Sequence, residues 1–198
     1  MAYLVLVRHG RSLWNDKGLW TGWTDIGLNK FGKDEAKATA QSLSDQNFDI
    51  AHTSKLKRAK QTLEIILASL KKTHLKIIEH EALNERHYGV YTGKNKWQVR
   101  DEIGEERFQL LRRSWDYPIT DGESLKQVFK RVVPFFRKYV EKDLAGDKNV
   151  LLVASHNSLR TIVKYIENIS DTDIANLELP FGALRAYEFA DNGYKKLQ

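Results

Sequence analysis

The chain contains no cysteine, only three prolines and a single methionine among its 198 residues. Without cysteine, disulfides and thiolate metal sites are excluded. No run approaches the ~20 consecutive apolar residues that cross a bilayer, so no membrane role is expected. The apolar run at the N-terminus has no basic leader and is too short for a secretory signal, which makes the cytoplasm the expected location. No Pro-, Gly- or Ser-rich linker and no internal repeat interrupts the chain, so residues 1–198 are read as a single domain. There is also no block of basic residues, although the net charge is +6. Scattered lysines of this kind argue against a nucleic-acid partner and for a soluble surface around a pocket for small anions.

What is present is an alternation of strand-like and helix-like segments. Tyr3–Val7 is a mostly apolar run that enters Arg8-His9-Gly10 directly, and Val150–Ala154 leads through Ser155 to His156. Runs of this length rich in Val and Leu read as buried strands. Phe48–Thr53 and Leu75–His80 read as further strands, and Ala183–Ala190 as the last, before the turn signal Asp191-Asn192-Gly193. Asn29 caps an expected helix running to about Asp45. Ser54 caps another that carries Leu56, Ala59, Leu63, Ile66, Leu67 and Leu70. Shorter helices are expected near residues 95–103 and 105–113, a long one over residues 122–144 kinked at Pro134, and another over residues 158–168. Strands alternating with crossover helices predict an α/β fold: a three-layer α/β/α sandwich with a mainly parallel sheet and helices on both faces. Ligands gather at the carboxyl ends of strands in such sheets, so His9 and His156 are expected in one crevice.

The residues around the two histidines suit phosphoryl transfer. A phosphoryl-accepting histidine needs one unprotonated nitrogen aimed at phosphorus and the other held by an acceptor. Arg8 supplies a fork of donors for phosphate oxygens, and Gly10 is read as allowing phosphate close to the backbone. Arg58 falls in the first turn of a helix, where guanidinium and helix N-terminus both favour an anion; a solvated basic face with Lys55 and Lys57 is the competing reading. Trp14 and Trp23 are read either as loop anchors or as walls of the pocket.

The motifs Leu6-Val7-Arg8-His9-Gly10-x-Ser12-x-Trp14-Asn15 and Thr21-Gly22-Trp23-x-Asp25 resemble the histidine phosphatase superfamily. The segments Leu83-Asn84-Glu85-Arg86-His87-Tyr88-Gly89, Gly93-x-Asn95-Lys96, Arg112-Arg113-Ser114-x-Asp116, Gly122-Glu123-Ser124-Leu125, Asn157-Ser158-Leu159-Arg160 and Tyr187-Glu188-Phe189 resemble, more narrowly, the bisphosphoglycerate-dependent phosphoglycerate mutases. The resemblance implies a phosphoglycerate mutase-like fold and interconversion of 2- and 3-phosphoglycerate in glycolysis and gluconeogenesis. It implies 2,3-bisphosphoglycerate as phosphoryl primer, no metal, small-molecule phosphoglycerate substrates, and a monomer or homodimer. By the same resemblance His9 is the phosphorylated nucleophile, and Arg8, Arg58 and His156 hold the transferred group. Glu85 exchanges a proton with the substrate hydroxyl. Ser12, Asn15, Thr21, Gly22 and Asn157 contact phosphate or substrate, and Arg86, Tyr88, Lys96, Arg112 and Arg113 hold the carboxylate and second phosphate.

The chain departs from that pattern in three places. Arg11 follows Arg-His-Gly, where the family often has Glu. His156 is followed at once by Asn157, without the family's intervening Gly, and Asn157 is expected to tolerate a left-handed turn there. Only Tyr117-Pro118-Ile119-Thr120-Asp121 stands between Asp116 and Gly122, where longer relatives carry a lid; a reduced lid is expected to admit water and raise hydrolysis. Two other readings stay open: a histidine phosphatase acting on a small phosphoester, and a degenerate relative that only binds phosphorylated ligands or nucleic acid through its basic surface.

Overall fold

The computed structural model describes residues 1–197; Gln198 lies outside the described residues. The strands are β1 (Ala2–Arg8), β2 (Ile50–Thr53), β3 (Lys76–Glu79), β4 (Val150–Ala154), β5 (Leu184–Ala190) and β6 (Gly193–Lys196). They form one sheet in the order β3-β2-β4-β1-β5-β6. β3, β2, β4 and β1 pair with one another in parallel, β5 pairs antiparallel with β1, and β6 pairs antiparallel with β5. Sequence reading expected Ala183–Ala190 to be the last strand. The Asp191-Asn192 turn, with both residues at positive φ, instead returns the chain as β6.

The helices are α1 (Leu13–Asp16), α2 (Lys30–Ser42), α3 (Lys57–Ser69), α4 (Lys96–Ile103), α5 (Glu105–Arg113), α6 (Leu125–Phe135), α7 (Glu141–Ala145) and α8 (His156–Glu167). Successive residues of a strand face opposite sides, and the two cores follow that rule. Leu4, Leu6 and Leu152 pack with Val128, Val132 and Phe135 of α6 and with Leu159 and Ile162 of α8. Val5, Val7, Leu151 and Val153 pack with Ala40 of α2 and with Ala59, Leu63 and Ile66 of α3. The α/β/α sandwich is thus the packing consequence of apolar strands buried on both sides. A third cluster, built on Trp20, Tyr88, Phe108, Leu111 and Ile119, lies outside the two sheet-face cores.

Helix boundaries differ from the sequence reading at α3, α6 and α8. Leu56, not Ser54, occupies the N-cap of α3, with no side-chain cap; Ser54 is buried. The long helix begins at Leu125, where Ser124 and Gln127 form a reciprocal capping box. It passes into a π turn over Phe136–Val140 two residues after Pro134, which is how the missing proline N–H is absorbed. α8 begins at His156 rather than Ser158, because Ser155 already has extended cap geometry.

Gly10 has a different task from the one its sequence context suggested. A Cβ placed on it would stand 2.2 Å from the carbonyl oxygen of Gly32. The two backbones touch where the loop after β1 crosses the N-terminal turn of α2, so the space belongs to protein, not to phosphate. Gly10→Ala is expected to lower stability by about 1–3 kcal/mol through overpacking and to displace His9. Urea unfolding together with activity at saturating substrate checks this; an unaltered unfolding midpoint would contradict it.

Candidate active site

β1 and β4 are adjacent and in register, Arg8 opposite Ala154. The His9 N–H donates to the Ala154 carbonyl at 3.1 Å, so the chain leaves both strands side by side. His9 and His156 line one cavity of about 220 Å³, small beside the ~300–1,000 Å³ of drug-sized pockets.

His9 is buried, 3% exposed. Its Nδ1 lies 2.7 Å from the Gly10 carbonyl oxygen. A carbonyl only accepts, so the proton sits on Nδ1 and Nε2 is unprotonated. Arg58 Nε donates to that Nε2 at 3.2 Å. Burial, with the charges of Arg58 and Arg8, holds His9 well below the usual imidazole range despite the Gly10 hydrogen bond. The ring is therefore neutral at physiological pH. Two further donors of Arg58 go to the Thr24 carbonyl at 3.1 Å and the Gly22 carbonyl at 2.7 Å. Arg58 thus ties the 21–24 loop to the nucleophile.

Glu85 is buried, and its Oε1 accepts from the Arg86 N–H at 2.7 Å and the Asn157 N–H at 3.3 Å. Burial pushes the carboxyl up. The charges of His156 and Arg58 and those hydrogen bonds outweigh it, leaving Glu85 below the ordinary carboxylate range. Burial, with Arg8 and Arg160, pushes His156 down to about 4, against the opposing pull of Glu178 and Glu85. Burial, with Arg112 and Arg8, takes Lys96 down to about 8.

The cavity is lined by Arg8, His9, Asn15, Thr21, Gly22, Arg58, Glu85, Tyr88, Lys96, Arg112, Arg113, His156 and Asn157. These are expectations drawn from positions spread across the chain, and the fold brings them to one place. Ser12 and Arg86 are not among the lining residues. Ser12 is fully buried as the N-cap of α1 and forms a capping box with Asn15. Arg86 donates to the carbonyls of Leu111 and Arg112 at 3.0 and 3.4 Å, which steadies the end of α5 that carries Arg112 and Arg113.

Asn157 is not in a left-handed turn. It is the second residue of α8, where its amide reaches Glu85, its side chain donates to the Tyr88 hydroxyl at 2.9 Å, and its Oδ1 accepts from Arg160. Arg11 is not among the lining residues; its guanidinium lies 3.7 Å from Asp16 and from Glu35. Trp20 lines the cavity rather than Trp14 or Trp23. Trp23 donates to the Glu85 carbonyl at 2.5 Å and packs edge-on to His87.

Four lining residues were missed from sequence: Leu19, Trp20, Glu178 and Phe181. Phe181 lies under Arg8, 3.8 Å from guanidinium carbon to ring centre. Pro180 and Gly182 just before β5 mark a turn, and that turn abuts the strand end at Arg8. Arg131 was also missed. It holds the 82–85 segment through the carbonyls of Ala82, Asn84 and Glu85 and pairs with Glu123 at 2.6 Å.

The family model described as histidine phosphatase superfamily (branch 1) matches residues 4–198. The chain is 46% identical over 190 residues to a 2,3-bisphosphoglycerate-dependent phosphoglycerate mutase of Cytophaga hutchinsonii, covering 96% of this chain and 89% of that one. It is 43% identical over 192 residues to a protein of the same name from Parvibaculum lavamentivorans, covering 96% and 91%. Among solved structures, Bacillus stearothermophilus YhfR superposes with a TM-score of 0.87 at 22% identity, covering 99% of this chain and 95% of that one, which shows the shared fold. The chain belongs to the histidine phosphatase superfamily, branch 1, and within it to the 2,3-bisphosphoglycerate-dependent phosphoglycerate mutase family.

Proposed function

We propose that this protein interconverts 2- and 3-phosphoglycerate in the cytoplasm, a step of glycolysis and gluconeogenesis, through a phosphohistidine at His9. The observation that carries the reading is the charge of the cavity. Arg8, Arg58, Lys96, Arg112 and Arg113 face it beside two imidazoles, against only Glu85 and Glu178. A single phosphate needs fewer cations; a substrate with a phosphate and a carboxylate, or two phosphates, uses them all. The Arg8 Nε and Thr21 Oγ1 are buried without a hydrogen-bond partner, and both belong to lining residues, which fits anionic oxygens. 2,3-Bisphosphoglycerate, when bound, supplies the phosphoryl group that primes His9.

The geometry supports the following steps. His9 Nε2 attacks phosphorus in line, and the Nδ1–H bond to Gly10 stabilises positive charge as it develops on the ring. Arg58 and Arg8 neutralise the equatorial oxygens, where most of the transition-state charge resides. In the forward transfer the substrate hydroxyl attacks the phosphoryl group on His9. The N–P bond breaks, the O–P bond forms, and the hydroxyl proton passes to Glu85, which is ionised and can accept it. In the return transfer His9 takes the phosphoryl group from the other position, and Glu85 gives the proton to the leaving oxygen. Lys96, Arg112 and Arg113 keep the glycerate in the cavity between the two transfers.

Two outcomes are expected. After incubation with 2,3-bisphosphoglycerate the wild-type protein carries acid-labile phosphate and converts 3-phosphoglycerate, whereas His9→Ala does neither. Phosphorylation that persists in the variant would refute the assignment. Secondly, Lys96 is charged below about 8 and neutral above it, so kcat/KM should fall as pH rises through that value. Lys96→Arg places there a guanidinium, which keeps its charge to far higher pH than an amine, and should move the fall to higher pH. A pH profile identical in the two proteins would assign the limb to another group.

A further inference from the structure

Glu178 is a carboxylate inside a cavity otherwise built for anions. Its side chain approaches Arg113 through Oε1 and lies 3.5 Å from His156 Nε2 through Oε2. The two oxygens therefore lie against two cavity groups that an incoming oxyanion would meet. The backbone on either side is pinned. Leu177 and Leu179 are buried in the core on the α6–α8 face of the sheet, and the Leu179 carbonyl accepts from Arg8 at 2.6 Å. The Glu178 side chain, by contrast, is 54% exposed, while His156 and Arg113 are 16% and 20% exposed. A pinned backbone with a half-exposed side chain lets the carboxylate swing out without moving the strand that follows.

We propose that Glu178 is an internal anion that caps Arg113 and His156 until a ligand with two anionic groups displaces it, making it a specificity-determining residue. This rests on the mutase reading of the cavity. In the wild-type protein a ligand with one phosphate is confined to the end at His9, Arg8 and Arg58, because it gains too little from Arg113 and His156 to displace Glu178 from them. A phosphoglycerate brings a second anionic group that competes with Glu178 for Arg113. The two ligand classes thus differ in what they gain by opening the contact. The carboxyl is held down to about 2 by the neighbouring His156 and Arg113, against the opposing effect of burial, so it is charged throughout the working range. A closed contact reduces apparent affinity by the fraction of molecules in which the site is open.

The test is titration calorimetry with inorganic phosphate on the wild-type protein, Glu178→Gln, Glu178→Ala, Arg113→Met and the Glu178→Gln/Arg113→Met double variant. Both Glu178 variants should bind phosphate at least tenfold more tightly than wild type, because His156 and Arg113 become available to a single anion. The gain should disappear when Glu178→Gln is made on the Arg113→Met background, which a merely structural role would not produce. Unchanged or weaker phosphate binding in both Glu178 variants overturns the proposal, as does a gain that survives loss of Arg113. Conversion of 3-phosphoglycerate by the wild-type protein, assayed with 2,3-bisphosphoglycerate, separates the two ideas. No conversion with tightened phosphate binding refutes the mutase reading and keeps the displaced carboxylate. Conversion without tightening does the reverse.

Discussion

The parallel pairing of β1 with β4 is the constraint on which the site depends. Register places Arg8 opposite Ala154, and the His9 amide bonds the Ala154 carbonyl as the strands end. A side chain one residue past β1 and another two residues past β4 then face the same space. Slipping the register by one residue would turn every strand side chain to the other face. Val5 and Val7 would exchange environments with Leu4 and Leu6, so the two cores on either side of the sheet hold the register. Packing far from the cavity is in this way what sets the imidazole positions.

The second organising feature is the burial of cations. Desolvation lowers Arg8 to about 10 and Lys96 to about 8, and it lowers Arg58 as well. Removing charges from water without full compensation is costly. The fold offsets part of the cost with carbonyls: Gly22 and Thr24 for Arg58, and Leu179 for Arg8. It also uses the faces of Phe181 under Arg8 and Trp20 near Lys96. What is left over is electrostatic potential that a phosphate or carboxylate satisfies, and it is already oriented before ligand arrives. Stability forgone in the free protein becomes binding in the complex.

Glu85 shows how a shell of structural contacts tunes a chemical group. Its carboxylate accepts from Arg86 and Asn157, and its own carbonyl is gripped by Arg131 and Trp23. The absence of a glycine after His156 matters here. Because α8 starts at His156, Asn157 supplies a helical first-turn amide to Glu85 and links it through Tyr88 and Arg160 to the α5 end. The departure in sequence therefore leaves a connected site in place of an altered turn.

Much of this was legible in the order of residues. Val- and Leu-rich runs of five to seven residues read as strands buried on both sides, because they are too short for a helix and rich in β-branched side chains. Helices with apolar positions at three- and four-residue spacing specify the outer layers. Local motifs mark most of the cavity residues, since Arg-His-Gly and Asn-Glu-Arg-His-Tyr-Gly are contiguous and chemically distinctive. Folding settled matters that depend on contacts between residues far apart. Gly10 is small because of Gly32, Ser12 caps α1 instead of facing the cavity, and Arg131 reaches back some 45 residues to Glu85. Glu178 and Phe181 join the site because a turn before an antiparallel strand folds against the end of β1. Pattern along a chain reports which face a residue prefers, whereas the identity of its partner is a property of three-dimensional proximity that no local periodicity encodes.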